Sequence, residues 1–166
     1  MDRVPSWYQV SQFYWYTDAK EYDMTPVERV VDVLGGHAVL KRSVRTWREL
    51  EDAVNDGLPK RALQVMAGRA LPHGAPASSL VYLVVPIATF KRRSRLTPEE
   101  SARTERLARI VALAEGIWEE RDDARRFLNH PHPLLADRTP LDVAATELGA
   151  RRVEQLLHDV DHGLPL

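Results

Sequence analysis

The side chains that could do chemistry come in small groups, and each group lacks a part. His130 and His132 flank Pro131. Alternate histidines in a loop can grip a metal, but no third ligand stands at motif spacing. His158 and His162 are four residues apart, as in the helix of zinc proteases. That motif needs a glutamate directly after the first histidine as general base, and Asp159 stands there, one methylene shorter. Gly35 and Gly36 are followed by no glycine-lysine-serine, so no phosphate loop forms around them. No glycine-x-serine-x-glycine elbow occurs. The chain has no cysteine, which excludes disulfides, thiol catalysis and cysteine-ligated zinc and fits a reducing compartment. The residues therefore predict a protein that is not an enzyme and uses no cofactor or metal.

The remaining chemistry is charge. The 166 residues hold 23 basic and 24 acidic side chains, a net charge of -1, so a nucleic-acid footprint has to be local. One such locality exists: Lys91, Arg92, Arg93 and Arg95, with no acid between residues 88 and 96. Concentrated positive charge is what phosphate contact requires, and arginine also reads guanine edges. Thr89 is placed to donate to a phosphate or base, or to cap the helix that carries the cluster. The bland reading of the cluster is a solvated face.

These residues need elements to hold them. Residues 79–95 read as a short helix, a turn at Pro86, and a second short helix over 89–95, the layout of a helix-turn-helix. The valines of 79–85 favour a strand by propensity, but every neighbour reads as helical and a lone strand needs an edge, so a short buried helix is expected. Specific DNA binding by a unit this small calls for a homodimer. Upstream, Thr25 and Pro26 look like a helix start, with Val27, Val30, Val31 and Leu34 inward and Gly35-Gly36 as the stop. A helix after Thr46 turns Trp47, Leu50, Ala53 and Val54 inward. Another follows Pro59, with Ala62, Leu63, Val65 and Met66 inward. Thr97, Pro98 and Glu100 make a capping box. The helix they open runs to about residue 121 on Leu107, Ile110, Val111, Ala114, Ile117 and Trp118, long enough to be the spine of the fold. A short helix over 122–128 follows, then a loop whose Leu134 and Leu135 are expected to be buried anchors. Thr139 caps a helix at Pro140 that runs to about Gly149, and a last helix spans 150–161 on Val153, Leu156, Leu157 and Val160. Seven of the twelve aromatic residues fall in 1–23, an arm for a partner or for the protein's own core. The start carries no apolar secretory run and no segment is long enough to span a bilayer, which predicts a cytoplasmic protein with no membrane partner.

The order of pieces in the last third resembles a known family. Residues 124–135 (ARRFLNHPHPLL), 138–142 (RTPLD), 147–157 (ELGARRVEQLL) and Gly163 are similar to the toxin-binding domain of Xre/MbcA/ParS-type antitoxins. Leu34-Gly35-Gly36, Gly57-Leu58-Pro59, the basic residues 91–93 and residues 96–101 (LTPEES) resemble the Xre-like helix-turn-helix domain of the same antitoxins. The resemblance covers about residue 26 onward. It implies an all-α helical bundle: a helix-turn-helix half over 24–110 and a toxin-binding domain over 111–166, joined by the long helix, with the aromatic arm over 1–23 outside the resemblance. It also implies a RES-domain toxin acting on NAD as partner, its NAD pocket blocked by this chain, and operator DNA bound through Thr89, Lys91, Arg92, Arg93 and Arg95. The toxin-facing residues it implies are Arg151, Arg152, Gln155, Asp159, Gly163, Leu164, Pro165 and Leu166. Phe127 stands where relatives usually carry tryptophan. Two other readings stay open: a stand-alone transcription regulator, and a toxin-binding antitoxin whose DNA-binding half is degenerate.

Overall fold

Threonine side chains set the frame of this molecule. The computed structural model describes residues 26–118 and 120–162, and the regular structure there is helical. The helices are α1 (Val27–Val33), α2 (Gly36–Leu40), α3 (Trp47–Asn55), α4 (Lys60–Ala70), α5 (Ser78–Val84), α6 (Ile87–Arg92), α7 (Pro98–Ile117), α8 (Arg121–Asn129), α9 (Pro140–Val143) and α10 (Glu147–Asp161), with a 3-10 turn at Pro133–Leu135. Thr46 and Thr97 open α3 and α7 with full capping boxes, through Glu49 and Glu100. Thr139 and Thr146 cap α9 and α10 by accepting from the Asp142 and Gly149 amides, each at 3.1 Å. Each cap satisfies an amide that the helix start would leave unpaired.

The spine is α7. It packs against α1, α3, α4 and α5 of the first half and against α8 and α10 of the second. Its Leu107, Ile110, Val111 and Ala114 are fully buried, as the spacing predicted. One apolar cluster runs from Val27 to Leu157 without a break between the two halves. The expected boundary at 110/111 falls inside this helix.

Several boundaries differ from the sequence reading. Pro26 sits at the cap position of α1, and Val33 joins Val27, Val30 and Leu34 in the core. Gly35 takes a φ of 95°, but the chain restarts at once as α2. The spine ends at Ile117, because Trp118 turns to extended backbone, and α8 begins only at Arg121. Val65 and Val160 are half-buried rather than core. The short buried helix expected over 79–85 is present as Ser78–Val84, with Leu80, Val81 and Val84 buried, and only Val85 departs from it as extended backbone. The second helix of that pair is Ile87–Arg92, two residues earlier than expected at its start and three at its end. The helix opened by Thr139 stops at Val143 instead of running to Gly149, and α10 starts three residues earlier than expected. Leu135 is buried, whereas Leu134 is 53% exposed. The arm 1–23, Thr25 and the tail 163–166 lie outside the described residues. No helix among the described residues is long and apolar enough to cross a membrane.

Candidate functional site

The surface to weigh first is the outer face of α10. Its inner face, Ala150, Val153, Leu156 and Leu157, is buried against α7. Polar groups lock the seam at the edges. Arg106 Nε stands 2.9 Å from Glu147 Oε2, and its Nη1 donates to the Ala145 carbonyl at 3.3 Å. Arg109 Nε lies 3.0 Å from Glu154 Oε1. The Arg106 hydrogen bond holds the Glu147 carboxyl below its ordinary range. Burial pushes Glu105, in the same seam, upward despite Arg109 and Arg106 nearby. Gly149 makes the junction possible: a Cβ there would sit 1.8 Å from the Val143 carbonyl oxygen, so only glycine lets α10 approach the end of α9 this closely.

With the inner face spent, Arg151, Arg152 and Gln155 face solvent and Asp159 is half-exposed. Gln155 and Asp159 are one turn apart, and the Gln155 amide donates to the carboxylate at 2.8 Å. Arg151 keeps a loose contact with Glu147 at 3.6 Å. Arg152 donates instead to a neutral acceptor, the Leu134 carbonyl, at 3.2 Å. The structure thus gathers four of the eight expected toxin-facing residues on one face. Gly163, Leu164, Pro165 and Leu166 lie outside the described residues.

Two residues on this surface escaped the sequence reading. Leu148, in the first turn of α10, is 75% exposed. Leu134 is displayed by a tightly held turn: the His132 amide donates to the Arg138 carbonyl and the Asp137 amide to the His132 carbonyl, both at 3.1 Å. Ala136 and Asp137 are both left-handed there, with φ of 57° and 56°, a conformation that costs L-residues about 1–2 kcal/mol each. The available signal for Leu148 was its register, since five residues before Val153 is the opposite side of a helix from the core face.

The basic cluster lies on α6 and in the segment that follows it. α6 is six residues long, buries no side chain completely, and follows α5 after a turn at Val85 and Pro86. Lys91 and Arg92 are exposed in its last turn. Arg93 has left the helix and leans to Glu100 at 3.9 Å, and Arg95 pairs backbone with Pro59. The five candidates therefore straddle the end of a helix instead of lining one. Thr89 does not cap: Pro86 holds that position, and Thr89 is half-buried in the third helical residue. Lys60, also unforeseen, lies 5.3 Å from the Phe90 ring centroid. A clasp fixes this region: the Leu96 amide donates to the Leu58 carbonyl at 2.8 Å, and the Leu58 amide to the buried Ser101 hydroxyl at 2.8 Å. Between the strands of the clasp, Gly57 comes so close to the Leu96 carbonyl that a Cβ would stand 2.4 Å from its oxygen.

The histidines serve local structure. His132 Nδ1 accepts from the Leu134 amide at 3.3 Å, and His162 Nδ1 lies 2.8 Å from the His158 carbonyl. Among the described residues no three histidine or carboxylate side chains gather as a metal site would need. Phe127 stacks on Trp118 with ring centroids 4.9 Å apart, so it keeps an aromatic core role.

Comparison with known proteins bears on the same region. Residues 113–163 match the family described as the antitoxin Xre/MbcA/ParS C-terminal toxin-binding domain. A curated relative, Antitoxin Xre of Pseudomonas putida, is 33% identical over 87 residues, which are 50% of this chain and 55% of that protein. The chain spans about half the length of that relative.

Proposed function

We propose, from the match of residues 113–163 to the Xre/MbcA/ParS C-terminal toxin-binding family, that the chain is a cytoplasmic, non-catalytic antitoxin that binds and blocks a RES-domain toxin acting on NAD. The observation that carries the reading is the outer face of α10. Arg151, Arg152, Gln155 and Asp159 form a continuous exposed stripe within the matched segment, on a helix whose other face is locked to the spine. A rigid helix presenting such a stripe loses little entropy when a partner closes over it. The tail residues Gly163, Leu164, Pro165 and Leu166 complete the proposal as the part that reaches the NAD pocket.

The same reading gives α5 and α6 to operator DNA, as a homodimer that represses its own operon through Thr89, Lys91, Arg92, Arg93 and Arg95. One observation favours the alternative of a degenerate DNA-binding half. Leu83 and Ile87, 48% and 49% exposed, put apolar surface where the two helices meet, and apolar surface suits a protein partner better than phosphate.

The test is co-expression with the product of the neighbouring gene, followed by NAD turnover with and without this chain. Tight co-purification with loss of turnover supports the antitoxin. An unaltered turnover in the presence of excess chain refutes it.

A further inference from the structure

Leu148 and Leu134 are the two most exposed large apolar side chains among the described residues, at 75% and 53%. Arg152 links them. Arg152 stands one turn after Leu148 on the same side of α10, and its guanidinium reaches the carbonyl of Leu134 at 3.2 Å. Neither leucine is displayed by a loose segment. Leu148 sits directly after the Thr146 cap and before the sterically fixed Gly149. Leu134 rides a turn pinned by the His132 and Arg138 backbone, with Arg138 Nη2 donating onward to the Asp142 carbonyl at 3.0 Å. Two left-handed non-glycine residues are held in that turn, and strain of this kind persists where the surroundings over-determine a conformation.

We propose that Leu148 and Leu134 are the apolar anchors of the partner interface, seated in a recess of the toxin whose rim is acidic and meets Arg151 and Arg152. The proposal rests on the reading of the chain as an antitoxin. Both leucines lie inside the segment matched as toxin-binding, and both continue the stripe of Arg151, Arg152, Gln155 and Asp159. Charge selects the occupant. Among the described residues Arg152 meets no carboxylate, and Arg151 meets only Glu147, which is already held by Arg106 at 2.9 Å. A second copy of this chain docking here with its two-fold axis through Arg151 and Arg152 would set these guanidinium groups against their own equivalents. A partner with carboxylates around an apolar recess removes that repulsion and buries the leucines. Interfaces of this kind concentrate their energy in a central apolar anchor ringed by polar groups.

The experiment measures affinity of the full chain for the purified product of the neighbouring gene, with Leu148→Ala, Leu134→Ala and Ile87→Ala compared with wild type. Both substituted leucines are solvent-exposed, and unchanged circular dichroism and melting verify that the fold persists. Burial of a leucine on binding corresponds to about ten- to a hundredfold in affinity. Leu148→Ala is expected to weaken binding at least about tenfold, Leu134→Ala by a smaller factor, and Ile87→Ala, comparably exposed on α6, not at all. Equal affinity of Leu148→Ala and wild type overturns the anchor while leaving the antitoxin reading intact. Failure of wild type itself to bind overturns both. A drop in the native mass of Leu148→Ala without its partner assigns the surface to a second copy and overturns the proposal.

Discussion

Replacing Gly149 by alanine sets two effects of opposite sign against each other. Alanine is favoured over glycine inside a helix by about 0.5–1 kcal/mol. At position 149 the added methyl meets the Val143 carbonyl oxygen at 1.8 Å and the Thr146 hydroxyl at 2.8 Å, where ordinary contact begins at 3.4 Å. The obstacle is backbone, so α9 and α10 must separate by more than an ångström or the Thr146 cap must be given up. Overpacking of this kind costs about 1–3 kcal/mol and loss of a cap about 1 kcal/mol. The clash wins, and Gly149→Ala is expected to destabilise by about 2 kcal/mol, a fall in Tm of about 4–8 °C for a chain this size. Gly68 supplies the control. It lies in α4 with no atom within 4 Å of the added methyl, so only the helix preference remains and Gly68→Ala should raise Tm by about 1–3 °C. Thermal unfolding followed by circular dichroism measures both. A rise in Tm for Gly149→Ala, matching that of Gly68→Ala, would refute the close approach of α9 and α10 and with it the placement of the stripe on α10.

Arg69 holds Glu115 with both nitrogens of a fork, at 2.6 and 2.8 Å, and both side chains are largely buried. Arg69→Met should therefore destabilise by about 2–3 kcal/mol by stranding the carboxylate, whereas Asp32→Asn, on the exposed side of the same arginine, should change chemical denaturation midpoints little. Burial pushes the Glu105 carboxyl above its ordinary value of 4.5. A raised acid stabilises the fold below its unfolded pKa and loses that contribution as pH rises through the folded one. Glu105→Gln should then melt higher than wild type at neutral pH, with the gap closing toward pH 4.5; a gap independent of pH would contradict the burial argument. If Lys91 and Arg92 contact phosphates, the double alanine variant should flatten the salt dependence of promoter binding by about one unit of slope per lost contact, and identical slopes would remove them from the DNA face.

Much of this architecture was legible because it is written in local signals. Thr97-Pro98 with Glu100, and Thr139-Pro140, announce helix starts by chemistry that acts within four residues, and both stand where the sequence put them. The apolar spacing of the spine likewise reports its own core face. Errors cluster where the deciding contact is distant. Gly149 reads as a helix stop, yet it lies in the first turn of α10, because what demands glycine there is the carbonyl of Val143 across the junction. Leu134 and Leu135 are identical in sequence, and only the geometry of the turn buries one and exposes the other. Arg93 and Arg95 look like the continuation of a basic helix, but the clasp between Leu58 and Leu96 pulls the chain straight after Arg92.

That clasp bears on how the two ends of the molecule act together. From α10 the packing runs to α7, and from α7 the Ser101 hydroxyl reaches the Leu58 amide beside the end of α6. Physical continuity alone does not couple two sites, since coupling needs an element with two arrangements that both ligands bias. The spine is twenty residues long and buried against both halves within one apolar cluster, packing that favours a single arrangement. On the proposed reading, a partner closing on Leu148 and Arg152 is then expected to leave the packing near α6 as it stands. If α6 binds operator DNA as proposed, an effect of the partner on DNA affinity would come from assembly, by bringing several copies of α6 to neighbouring half-sites, where a second contact gains from effective concentration without any change in the first. On that reading, a variant that loses partner binding at α10 is expected to keep the intrinsic affinity of each α6 for DNA and to lose only the avidity, and a changed affinity of the isolated variant for a single half-site would refute it.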